Sequence, residues 1–113
     1  MHEMSLMESL LSLVEEARER EGFRRVRTLR VAVGAFAAVD PGALRFCFDV
    51  AAKGGVAEGA RFVIEEIPGE GWCLGCGQTV SLEKKGNPCP ACGSFWIQAT
   101  KGDDLRVVDL LVE

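Results

Sequence analysis

Four of the five cysteines fall in two Cys-x-x-Cys pairs, Cys73-Leu74-Gly75-Cys76 and Cys89-Pro90-Ala91-Cys92, with twelve residues between them. Such pairs form tight knuckles whose thiolates converge on one ion as a tetrahedron. Gly77 and Gly93 follow the two pairs and supply a permissive backbone that turns amide groups toward the sulfurs. Four thiolates favour zinc, with iron as the competitor because it accepts the same S4 geometry. Two disulfides are the other use of four cysteines, but paired knuckles outside a secreted mini-protein read as a metal site. Cys47 has no partner at this spacing and lies on an apolar helical stripe, which makes it a core residue.

The second chemical group is His2, the only histidine. Its imidazole stands beside the terminal amine of Met1 and the first backbone amides, so several nitrogens can wrap one ion. Nitrogen-rich, square-planar sites of this kind suit Ni(II) or Cu(II), and copper's higher intrinsic affinity leaves the choice to metal availability. Glu3 adds a nearby oxygen, and Asp40 joins if the second helix begins beside the N-terminal arm. The candidate ligands here are therefore Met1, His2, Glu3 and Asp40. One histidine in an arm supports no Ser-His-Asp or Cys-His constellation, so no catalytic residue is assigned and the chain reads as a non-enzyme. Neither a phosphate-binding G-x-x-x-x-G-K-[ST] loop nor a dinucleotide G-x-G-x-x-G turn is present.

The elements that must position these groups follow from periodicity. From Ser5 to Glu21, Leu6, Leu10, Leu13, Val14 and Ala17 form one stripe widened by Met7 and Leu11, which predicts an amphipathic helix. Ser5 and Glu8 have capping-box spacing and Gly22 is the expected stop, leaving residues 1–4 as a free arm. Val26 to Gly34 predicts a half-buried strand, with Leu29, Val31 and Val33 alternating against Arg30 and Ala32. Asp40-Pro41 predicts a capped second helix over 41–53, apolar enough to be covered on more than one side. Arg61 to Ile67 predicts a second strand, and Pro68-Gly69-Glu70-Gly71 reads as the turn into the metal loop. Phe95 to Ala99 closes that loop, and Leu105 to Val112 returns to the main sheet. The result is an α+β (mixed) fold: a small three-stranded mixed sheet with two helices, plus an inserted four-cysteine zinc-ribbon lobe. Residues 1–70 and 101–113 make the body and 71–100 the lobe.

Length and charge narrow the function. The 113 residues fit one compact domain with a small metal-stapled lobe. A net charge of -4 argues against nucleic acid, whose binding is driven by phosphate neutralisation. The longest apolar or Gly run, Val31 to Val39, is too short to span a bilayer, and reduced-looking cysteines without a secretory signal point to the cytoplasm. Six arginines, Arg18, Arg20, Arg24, Arg25, Arg27 and Arg30, gather around the first helix end and first strand. They read either as a solvated face or as a docking face for an acidic protein.

Met1-His2-Glu3-Met4-Ser5-Leu6, Val33-Gly34, Asp40-Pro41 before a Leu-x-Phe helix, Ala57-Glu58-Gly59-Ala60 before a strand, and knuckles ending Cys89-Pro90-x-Cys92-Gly93-Ser94 together resemble the HypA nickel-chaperone family of hydrogenase maturation. The order and spacing of these pieces carry the resemblance over essentially the whole chain. It implies Ni(II) as transferable cargo on His2 and the amides of His2 and Glu3, with Glu3 and Asp40 nearby. It implies structural Zn(II) on Cys73, Cys76, Cys89 and Cys92. As partners it implies a separate GTPase of maturation, the large subunit of nickel-iron hydrogenase and, through relatives linked to urease, urease accessory proteins, while charge and hydropathy argue for neither nucleic acid nor membrane. Where the family commonly has Gly-Glu-Leu-Ser, this chain reads Gly34-Ala35-Phe36-Ala37. Two other readings compete: a zinc-ribbon module that binds protein or RNA, and a rubredoxin-like iron electron carrier.

Overall fold

The computed structural model describes residues 2–113. Eight elements follow in order: α1 (Glu3–Glu21), β1 (Val26–Gly34), α2 (Pro41–Ala51), β2 (Arg61–Ile67), β3 (Gly69–Cys73), β4 (Gln78–Leu82), β5 (Ile97–Lys101) and β6 (Leu105–Val112). They build two three-stranded sheets, β2-β1-β6 and β4-β3-β5. The fold is α+β, as expected, and β6 does return to the sheet of β1 and β2. The chain forms two compact units. One comprises Met1–Val31, Val39–Glu65 and Arg106–Glu113, and the other Ala32–Ala38 and Glu66–Leu105.

In the first unit, Met7, Leu10 and Val14 of α1 are buried together with Leu44, Cys47 and Phe48 of α2. Phe48 stacks on Phe62 of β2 with ring centroids 4.7 Å apart, and Arg45 donates to the Phe62 carbonyl at 2.7 Å. Cys47 is a core residue, as its stripe required. Gly22 ends α1 in the left-handed conformation and donates to the Arg18 carbonyl. Asp40 caps α2, its Oδ1 accepting from the amides of Gly42 at 2.9 Å and Ala43 at 3.4 Å.

Four local expectations fail. Helix α1 begins at Glu3, not Ser5, so the Ser5–Glu8 capping box does not form and His2 occupies the N-cap. The carboxylate of Glu3 accepts the Asp40 amide at 3.2 Å, a contact 37 residues away in the chain that local capping rules do not see. The buried stripe of α1 runs through Met7, Leu10 and Val14, leaving Leu13 56% exposed. Strand β1 loses its alternation after Arg30, because Val31, Ala32 and Val33 are all buried. The second side of α2 is uncovered, with Phe46 67% and Val50 44% exposed.

The gathered arginines meet carboxylates. Arg24, Arg25 and Arg27 approach Glu113 at 3.4, 3.3 and 3.0 Å. Arg30 pairs across the sheet with Asp109 of β6 and with Glu65 of β2, and its guanidinium holds the Asp109 carboxyl below the usual carboxylate range. All these groups are solvated, so the pairs contribute little to stability.

The second unit holds β3, β4 and β5. Strand β3 pairs antiparallel with β4 from Gly69↔Leu82 to Cys73↔Gln78, and with β5 through Cys73↔Ile97. Gly69 and Gly71, read from sequence as part of a turn, are strand residues. Their missing side chains are occupied space: a Cβ on Gly69 would lie 2.3 Å from the Phe36 ring, and one on Gly71 2.5 Å from Ile97 Cγ2. Gly69→Ala is therefore expected to lower the stability of this unit by about 1–3 kcal/mol, the usual cost of overpacking. Phe36→Leu in the same chain should return part of that loss. Thermal melts of the two variants check it, and a Gly69→Ala melt equal to the parent's defeats it.

Candidate metal centres

Strand β3 delivers Cys73 to the buried face of its sheet, and the chain then turns through the first knuckle to β4. Gly77 has φ 68° and donates to the Cys73 carbonyl at 2.8 Å. The second knuckle repeats this geometry, with Gly93 at φ 79° donating to the Cys89 carbonyl at 2.8 Å. These are conformations that glycine adopts without penalty, which is why a glycine follows each pair. Cys89 also donates its amide to the Ser94 carbonyl, and Leu74 donates to that of Trp96.

The four sulfurs lie within 4.8 Å of one another. Cys73 and Cys92 are 3.6 Å apart, and Cys76 and Cys89 3.8 Å. Four thiolates on a tetrahedral ion at about 2.3 Å stand roughly 3.8 Å apart, whereas a disulfide needs about 2.05 Å. All five cysteines are free thiols, which removes the disulfide alternative. Cys73 is fully buried and Cys89 nearly so, while Cys76 is partly covered and Cys92 exposed.

The donor chemistry asks for a cation. Burial first, and the neighbouring thiols next, push Cys76 up to about 12. The amide of Cys92, opposed by burial and aided by that of Ala91, brings Cys89 down to about 7. Four sulfurs this close cannot all ionise against one another, and a divalent ion among them supplies the missing charge. Beneath them lie Phe36, Val80 and Leu82, with Ile97 packed alongside. Phe36 is the residue that cysteine spacing could not reveal, since it comes from the segment after β1. Lys85 sits 5.8 Å above its ring.

At the other candidate site, His2 is exposed, and its carbonyl accepts the Leu6 amide at 2.9 Å. Its side chain makes no capping bond. Rather than standing in a free arm, it opens α1. Met1 lies outside the described residues. Glu3 is buried and bonds the amide of Asp40, so the starts of α1 and α2 are adjacent. No group of three or more side-chain metal ligands gathers around His2 among the described residues; the cysteine quartet is the group that does. The first amides of a helix have no backbone acceptor within it, however, so ligation by the N–H groups at the start of α1 would break none of its backbone-to-backbone hydrogen bonds.

A family model described as hydrogenase/urease nickel incorporation, metallochaperone, hypA matches residues 1–112. The hydrogenase maturation factor HypA of Methylocella silvestris is 50% identical over 113 residues, covering 100% of both chains. That of Azotobacter vinelandii is 47% identical with the same coverage. A solution structure of HypA protein superposes with a TM-score of 0.70 at 25% identity, covering 100% of this chain and 97% of the other. The Ni metallochaperone HypA from Helicobacter pylori shares the fold, with a TM-score of 0.70 at 24% identity over 99% and 97% of the two chains. A match along nearly every residue, joined to a four-cysteine cluster of tetrahedral dimensions, makes this chain a member of the HypA family of nickel-incorporation metallochaperones.

Proposed function

We propose that the protein carries Ni(II) at the start of α1 and releases it to the large subunit of nickel-iron hydrogenase, with no turnover of its own. The observation that carries this reading is the placement of His2 at the N-cap of α1, with the helix-start amides behind it and Glu3 and Asp40 alongside. The His2 imidazole, the amides of His2 and Glu3 and the Met1 amine supply the nitrogens, as square-planar Ni(II) prefers. Two ionised amides balance the charge of a divalent ion, so the neutral site is not opposed by the positive end of the helix dipole. Glu3 and Asp40 act from beside the site by tying together the two helix starts.

Cys73, Cys76, Cys89 and Cys92 would hold zinc, which supplies a structural cross-link and no open coordination position. In this division of labour residues 1–70 and 101–113 would form the nickel-binding body and 71–100 the zinc lobe, to whose cysteines the compact units also join 32–38, 66–70 and 101–105. A separate GTPase and, for urease, its accessory proteins are the partners that the reading requires.

Nickel titration of untagged protein tests it. Imidazole must be neutral, and amides must lose protons, to ligate, so binding releases protons. Affinity is expected to fall by at least about tenfold over the first pH unit below neutral. A flat affinity across that interval, or a red protein whose quartet holds iron, contradicts this reading.

A further inference from the structure

An open groove of about 750 Å3 runs between α1 and α2. Met4, Leu11, Val50 and Ala51 give it an apolar lining, while Glu8, Glu15, Glu16 and Glu19 add four carboxylates and no lysine or arginine takes part. Val50 is 44% and Met4 36% exposed, and Phe46, one turn before Val50 on α2, is 67% exposed. We infer that this groove docks a basic amphipathic helix of a partner protein, its apolar stripe on Met4, Leu11 and Val50 and its lysines or arginines on the glutamate rim.

The charge selects the occupant. Helix-in-groove recognition needs apolar anchors repeated along one face, and Met4 and Leu11 stand seven residues apart on α1 while Val50 and Ala51 line the same groove from α2. An acidic rim repels acidic segments and also a second copy of this chain presenting the same carboxylates. Glu15 is partly committed, since it accepts the Val56 amide at 2.9 Å, so Glu8, Glu16 and Glu19 carry the attraction. Met4 follows Glu3 directly, so a helix seated here ends beside the candidate nickel ligands. That consequence rests on the nickel reading, whereas the docking itself needs no nickel.

The test is fluorescence anisotropy in nickel-free buffer, using a labelled Leu/Lys amphipathic peptide of about four turns and its Leu/Glu counterpart. The Leu/Lys peptide should bind saturably and the Leu/Glu peptide should not. Combining Glu8→Gln, Glu16→Gln and Glu19→Gln should weaken binding about tenfold, as the loss of three exposed ion pairs predicts. Val50→Asp, at an exposed position, should weaken it independently. His2→Ala should bind the peptide like the parent, which separates failure of the groove from failure of the nickel site. Equal binding of both peptides, binding of neither, or unchanged binding by the variants overturns the inference. So does sedimentation showing a parent dimer that Val50→Asp dissolves, which would assign the groove to self-association.

Discussion

His2→Ala is expected to abolish Ni(II) binding while leaving the metal content of the cysteine quartet unchanged. The variant is clean because the His2 side chain is exposed and makes no capping hydrogen bond, so its loss removes the proposed nitrogen ligand without removing a capping contact. The carbonyl that accepts the Leu6 amide belongs to the backbone and survives the substitution. Loss of a supporting residue around a metal costs about 10–100-fold in affinity, so loss of a direct ligand should exceed about 100-fold. Titration calorimetry and metal analysis on the same preparation provide both readings. A nickel isotherm like the parent's would sink the N-terminal assignment, and parallel loss of metal from the cysteines would show that the two centres are not separate.

The second large effect is removal of metal from the quartet, which should unfold the unit of residues 32–38 and 66–105 and leave the helical unit folded. Two of the five buried residues in its core, Cys73 and Cys89, belong to the candidate metal quartet. The others, Phe36, Val80 and Leu82, contribute about 1.5–3 kcal/mol each by burial, too little to order so many residues at about 1–2 kcal/mol of backbone entropy apiece. Structural zinc supplies about 10–16 kcal/mol of apparent binding free energy in small peptides. Both tryptophans, Trp72 and Trp96, lie in this unit, so near-ultraviolet dichroism from indole follows it alone. After chelation that signal should collapse and protease should cut between Trp72 and Phe95, while the far-ultraviolet helical signal of α1 and α2 persists. Unchanged protease resistance across that stretch is the result that would refute a structural role for the metal.

Among the described residues, exposed aromatic side chains give the RNA- or protein-binding alternative its structural footing. Trp96 and Phe95 are 69% and 74% exposed. Lys84, Lys85 and Lys101 are the basic residues of that unit, and Lys85 is already engaged with Asp103 at 3.2 Å. A surface with so little free positive charge is poorly suited to a phosphate backbone.

Much was legible from sequence because it depended on neighbours in the chain. The knuckles, with a glycine after each pair, announced a tetrahedral thiolate site through spacing alone. The Asp40 cap, the Gly22 stop and the bounds of β2 and β6 follow from hydrogen-bonding and periodic rules that act over a few residues. Those rules failed wherever a distant segment supplied the decisive contact. Ser5 was a sound local cap, but the Glu3 carboxylate reaches the Asp40 amide and the helix starts two residues earlier, which moves His2 from a free arm to a helix start. Gly69 and Gly71 carried the composition of a turn, yet they are strand residues because β4 and β5 pair with this segment, and glycines because Phe36 and Ile97 fill the space a side chain would need. The four-sulfur chemistry was thus determined by residue type and spacing. Its floor, with Phe36 among its residues, and the adjacency of the two helix starts were decided only by tertiary structure, since close packing and long-range hydrogen bonds select among conformations that the local chain leaves nearly equal in energy.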